Sequence, residues 1–111
     1  MIEVPLFKAL PISVKYSPEK FSLFSAAIII KALKKIDQKF SMQIVKVLEN
    51  DFIKKLPKDK ITMFLDLGSG SLNQISEAGF KEVFIIDHHE IIQEVPSNLH
   101  IINPNYMTNK R

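Results

Sequence analysis

Short runs rich in β-branched and aromatic residues are spaced along this chain between polar, turn-forming stretches. PISVKY (11–16), FSMQIVKVL (40–48), ITMFLDL (61–67), KEVFIID (81–87) and NLHIIN (98–103) read as strands. The run at 61–67 is apolar without alternation, as in a parallel strand covered on both faces. FSLFSAAIIIKALKKI (21–36) is too long for a strand and is apolar nearly all round from Leu23 to Ile30, Ser25 excepted. It predicts a helix covered on most sides, with Lys31, Lys34 and Lys35 near the end where the helix dipole favours cations. Ser17 is expected to cap that helix, with Pro18 at its first position and Glu19 beside the positive end of the dipole. The stretch 49–60 predicts a short helix and loop, and 68–80 a turn and a short helix. Strands alternating with helices predict an α/β fold: a parallel sheet of about five strands flanked by helices.

Composition narrows the class. With 111 residues the chain is expected to form a single domain over 1–111. Apolar residues make up 46% and charged residues 24%, the balance of a soluble globular protein. The absence of cysteine excludes disulfides, thiolate zinc sites and a cysteine nucleophile, so a metal would have to be held by His, Asp and Glu. The N-terminus lacks the pattern of a signal peptide, and no run reaches the ~18 apolar residues that span a bilayer, so a cytoplasmic protein is expected. A net charge of +3 favours a polyanion only weakly, because 12 acidic residues are interspersed and the sole arginine is Arg111. The lysines at 31, 34, 35 and 39, and at 54, 55, 58 and 60, read as solvated faces rather than a nucleic-acid track.

The candidate chemistry falls at strand ends. Asp66 follows one apolar run, and Asp87, His88 and His89 follow another. In open parallel sheets ligands bind outside the carboxyl ends of strands, where connecting loops converge. An Asp and a His from neighbouring ends supply oxygen and nitrogen donors suited to a divalent ion such as Mn²⁺. Either residue type also serves structure, the Asp by capping amides and the His by packing neutral and hydrogen-bonded. GSGSL (68–72) offers glycine amides before a helix but lacks the lysine of a P-loop, and Ser69 or Ser71 could simply cap that helix.

Taken in order, DLGSG (66–70), IDHH (86–89) and LHIINPN (99–105) resemble the motifs of the DHH phosphoesterase superfamily. The likeness is greatest to its archaeal RecJ-like branch and that branch's eukaryotic relative in the replicative helicase. The resemblance implies a metal-bridging role for Asp66, metal ligation by His88, phosphate contact by His89, and the motif's acidic position for Asp87. The resemblance places the D-x-D-G part of the family's first motif, H-x-D-x-D-G, on Glu19-Lys20-Phe21-Ser22. Glu19 could still reach an ion, but Phe21 replaces the second carboxylate, and no histidine precedes His88. The chain ends at Arg111, before the region in which the family carries a further acidic ligand and the second domain that closes over substrate.

Asp66, Asp87, His88 and Glu19 are too few to fill two coordination shells at the ~3.5–4 Å spacing of two-metal hydrolysis. No tightly bound metal pair is therefore expected. The resemblance implies a catalytically inactive interaction module of DNA replication. Its partners would be the GINS complex and, through it, the MCM helicase, with weak single-stranded DNA contact and nucleoid association. The alternative is a Mn²⁺-dependent phosphoesterase or single-strand 5′-3′ exonuclease that borrows ligands from another chain.

Overall fold

The computed structural model describes residues 11–91 and 94–104. Five strands, β1 (Ile12–Tyr16), β2 (Phe40–Ile44), β3 (Ile61–Leu65), β4 (Glu82–Ile86) and β5 (His100–Ile102), form one all-parallel sheet in the order β2-β1-β3-β4-β5. Three helices connect them: α1 (Lys20–Lys35), α2 (Asn50–Lys55) and α3 (Leu72–Glu77). The expected α/β architecture is thus the observed one. Among the described residues no helix is long and apolar enough to cross a membrane.

Side chains that alternate along each strand build a core on either face. Ile12, Val14, Ile61 and Leu65 pack with Ala26 and Leu33 of α1. Phe64, Val83 and Ile85 point the other way and pack with Ile53 of α2 and with Leu72 and Ile75 of α3. The chain steps outward from β1 to β2, then returns past β1 to β3 and continues to β4 and β5. Loops therefore diverge between β1 and β3, the kind of switch point at which open sheets leave room for a ligand.

Several boundaries depart from the sequence-based expectations for definite reasons. Helix α1 starts at Lys20, and neither Ser17 nor Pro18 belongs to it. Pro18 disfavours a helical conformation at the residue before it, so Ser17 stays buried beyond β1 and accepts the Glu19 amide at 3.4 Å. Glu19 takes the N-cap position in extended conformation, with no side-chain cap. Strand β2 ends at Ile44 rather than residue 48, because its parallel partner β1 ends opposite it at Tyr16. Strand β3 stops at Leu65, since Asp66 turns into the left-handed region at φ 60°. Nor is α1 covered on most sides: Phe21 and Phe24 are each 70% exposed and Ile28 59%. Only its inner stripe, including Ser22, Ala26 and Leu33, is buried. Asn105 of the expected motif lies outside the described residues.

Phe64 and Phe24 provide a test of this layering. Phe64 is fully buried, so Phe64→Ala should lower unfolding free energy in urea by about 3–5 kcal/mol. Phe24→Ala should change it by no more than about 0.5 kcal/mol, as for an exposed side chain outside the core.

Candidate metal centre

Register positions the two carboxylates. Leu65 pairs with Ile86 across β3 and β4, so the next residue on each strand, Asp66 and Asp87, leaves the sheet at the same height. Two backbone bonds fix these exits: Asp66 N–H donates to Ile86 O at 2.8 Å and Asp87 N–H to Ile102 O at 3.1 Å. A left-handed backbone is uncommon outside glycine, and Asp is among the residues that tolerate it. Gly68 follows at φ +102°, and a β-carbon there would stand 3.3 Å from Ile85 Cγ2, so the turn after Asp66 has little room for a side chain.

Asp87 organises the neighbouring turn. Its Oδ1 accepts the backbone N–H of His88 at 2.7 Å and of His89 at 3.1 Å, and lies 2.5 Å from His89 Nδ1. Its Oδ2 accepts the Ser69 amide at 3.3 Å, which ties the DLGSG turn to the DHH turn. With Nδ1 of His89 engaged by Asp87, the second ring nitrogen, Nε2, is the one left to meet a ligand. The fully buried Asn103 then donates from Nδ2 to His89 O at 2.7 Å, anchoring this turn to the end of β5. Asn103 was visible in the sequence only as part of NPN; a polar residue closing an apolar strand is the signal that marks it.

Asp66 stands in contrast. Its side chain is buried and close to two imidazoles, with Oδ1 2.9 Å from His88 Nδ1 and 3.8 Å from His89 Nδ1. Its Oδ2 is buried and accepts no hydrogen bond. Burial, reinforced by the nearby Asp87 charge and by Glu19, pushes the Asp66 carboxyl up, while His88 and His89 pull the other way. Burial also acts to raise Asp87, but hydrogen bonding from Ser69 and His89 outweighs it and holds that carboxyl below the ordinary range. The hydrogen bond to Asp87 raises His89. Two adjacent carboxylates are thus driven in opposite directions by their surroundings.

Asp66, Asp87, His88 and His89 each present a donor atom within 4.8 Å of the others. Because an orphaned, buried carboxylate oxygen is costly without a partner, this cluster fits a divalent cation, with Asp66 and the two histidines as candidate ligands. Glu19 is near enough for its charge to affect Asp66 and His89. Phe21 forms a wall instead, its ring centroid 5.4 Å from that of His88. A cavity of about 460 Å³ opens beside the cluster, lined by Phe21, Ser25, Ile86, Ile102 and Pro104 as well as Asp66.

Other marked residues lie apart. His100 stacks on Phe84 at 4.6 Å and faces Glu82 at 3.4 Å, outside the acidic-histidine cluster. Ser71 occupies the N-cap of α3 without a side-chain cap bond, and Ser69 is engaged with Asp87, so neither caps the helix by its side chain. Among the second group of lysines, Lys58 donates to the carbonyls of Ile53, Lys54 and Leu56 and lies 4.9 Å above the Phe80 ring. Its ammonium closes α2 rather than joining a basic patch.

A parallel sheet with paired DHH-type strand ends defines the class of this protein. The chain matches the DHH family, N-terminal domain, over residues 12–110, and it belongs to that family. It is also 32% identical over 89 residues to the uncharacterized protein MJ0831 of Methanocaldococcus jannaschii. That alignment covers 75% of this chain and 20% of the relative, so the chain spans about a fifth of that protein's length.

Linkage gives this site a measurable signature. His89, with its raised pKa, contributes stability that is present below its ordinary 6.5 and is lost as pH rises through its higher folded value. Asp87, held low, contributes stability above its ordinary 3.8 that is lost as pH falls through its folded value. An NMR titration should therefore find His89 protonated to higher pH than a free histidine. Asp87→Asn should bring that titration down and cost on the order of 1–3 kcal/mol in unfolding free energy as the turn amides lose their charged acceptor. An unchanged His89 titration would contradict the assignment.

Proposed function

We propose that this DHH-family chain is an interaction module of DNA replication that does not carry out two-metal phosphoester hydrolysis on its own. The observation that carries this reading is Phe21. Where the resemblance calls for a second acidic residue, an aromatic ring lies against His88 and lines the cavity. A ring supplies no ligand, so the donors gathered at Asp66, His88 and His89 suit one cation and leave a second without its shell. Sheet packing does not need metal ligands, so a scaffold tolerates this loss. By its resemblance to the RecJ-like branch, its partners are the GINS complex and, through it, the MCM helicase.

One observation favours a second reading. The buried, unpartnered Asp66 Oδ2 beside two imidazoles is a costly arrangement to keep for structure alone. It suits a Mn²⁺-dependent phosphoesterase or single-strand 5′-3′ exonuclease in which Asp66, His88 and Glu19 hold metal and another chain supplies the remaining ligands. Bound Mn²⁺ would supply an activated water and neutralise charge at the leaving oxygen. Within this chain, His89 would contribute an imidazole held by Asp87 toward the phosphate.

Two measurements separate the readings. On 5′-labelled single-stranded DNA with Mn²⁺, the protein should cleave no faster than Asp66→Asn; cleavage that Asp66→Asn abolishes would establish the enzyme reading. In a binding assay against GINS, His88→Ala should retain the affinity of the unmodified chain. A folded His88→Ala protein that no longer binds would place the contact at the site itself.

A further inference from the structure

Among the described residues, helix α1 presents an exposed apolar stripe. Phe21, Phe24 and Ile28 are spaced three and four residues apart and so share one face of the helix, where they are 70%, 70% and 59% exposed. Surface hydrophobes are ordinary singly, but two aromatics and an isoleucine in register over two turns form a contiguous patch. Hollows lie on both sides of the stripe. One of about 300 Å³ is lined by Lys20, Phe21 and Phe24, and another of about 170 Å³ by Ser25, Ile28, Ile29, Leu65 and Ile86. Ridges flanked by grooves are what a second helix needs in order to pack.

Charge identifies the occupant. All charged residues of α1 are lysines, Lys20, Lys31, Lys34 and Lys35, each exposed, and the helix has no acidic residue. Lys20 stands at one end of the stripe, and the other three stand past its far end. A helix of like composition would meet repulsion there, whereas one bearing Asp or Glu beside its own apolar stripe would meet opposite charge at both ends. We propose that the outer face of α1 is the docking surface for an acidic amphipathic helix of a partner protein, seated on Phe21, Phe24 and Ile28 and steered by these lysines. This deepens the interaction-module reading and rests on it. Because Phe21 also walls the cavity beside Asp66, a helix seated here covers the mouth of the acidic-histidine site.

The probe is a synthetic helical peptide of about four turns with leucines in an i, i+3, i+7 stripe and glutamates beside them, set against a twin carrying lysines for glutamates. Titrated into the ¹⁵N-labelled protein, the acidic peptide should perturb residues 20–35, with Ile86 and Ile102, and bind at least about tenfold more tightly than the twin. Its affinity should fall as salt is raised. Ile28→Asp and the pair Lys31→Glu with Lys34→Glu should each weaken it about tenfold while leaving the melting temperature unchanged, because these side chains are exposed. Equal binding of the two peptides, or perturbation confined to another face, overturns the proposal. So does self-association of the free protein that Ile28→Asp abolishes, which assigns the face to a second copy. Perturbation of the stripe by a single-stranded oligonucleotide but not by the acidic peptide also overturns it. If GINS binds the unmodified protein and Ile28→Asp equally, the interaction-module reading stands and this surface falls. If the peptide binds and GINS does not, the surface stands and the replication assignment falls.

Discussion

The parallel pairing of β3 with β4 is the constraint on which the candidate site depends. Because Leu65 faces Ile86, the chain delivers Asp66 and Asp87 at one level, and the hydrogen bonds that their amides donate to Ile86 O and Ile102 O hold both exits. A slip of one residue in either strand would send its side chains to the wrong layer, moving Phe64 or Ile85 to the α1 face or Ile86 to the opposite one, so the register is fixed by the two hydrophobic layers. Packing far from any ligand thereby sets the spacing of the donors. The left-handed turn at Asp66 and the close-packed Gly68 then direct the chain away.

The two aspartates share position but differ in environment because their hydrogen bonds differ. Asp87 accepts from the amides of Ser69, His88 and His89 and from the His89 ring, so its charge is compensated and its turn is ordered. Asp66 lacks such donors at Oδ2 and is left with desolvation and a like-charged neighbour, the conditions under which a carboxylate gains most from a cation. Asn103 completes the frame from β5 by fixing the His89 carbonyl. The result is a preorganised donor cluster with the Phe21 ring standing beside His88 as one wall of the adjoining cavity.

Much of this was legible in the sequence. The five strands, their parallel class and the adjacency of Asp66 and Asp87 follow from β-branched runs ending in polar residues, since strand exits converge in parallel sheets. Other features depend on contacts between distant segments. That β2 ends at Ile44 depends on where β1 ends, and no local signal in FSMQIVKVL marks it. Lys58 reads in the sequence as one of a cluster of surface cations, whereas its side chain folds back over the α2 carbonyls. The apolar run in α1 implied a covered helix, yet hydrophobicity alone does not reveal what covers it, and the outer stripe is open. The division of labour between Asp66 and Asp87 was hidden as well, because it depends on the Ser69 amide and on ring orientations that spacing does not encode.

The proposed function rests on donors for one cation, and not two, at this cluster. Mn²⁺ titration followed by electron paramagnetic resonance and elemental analysis should find no more than one Mn²⁺ per chain, lost in Asp66→Asn, with no signal from a spin-coupled pair. Two Mn²⁺ per chain that survive dialysis and couple magnetically would overturn it.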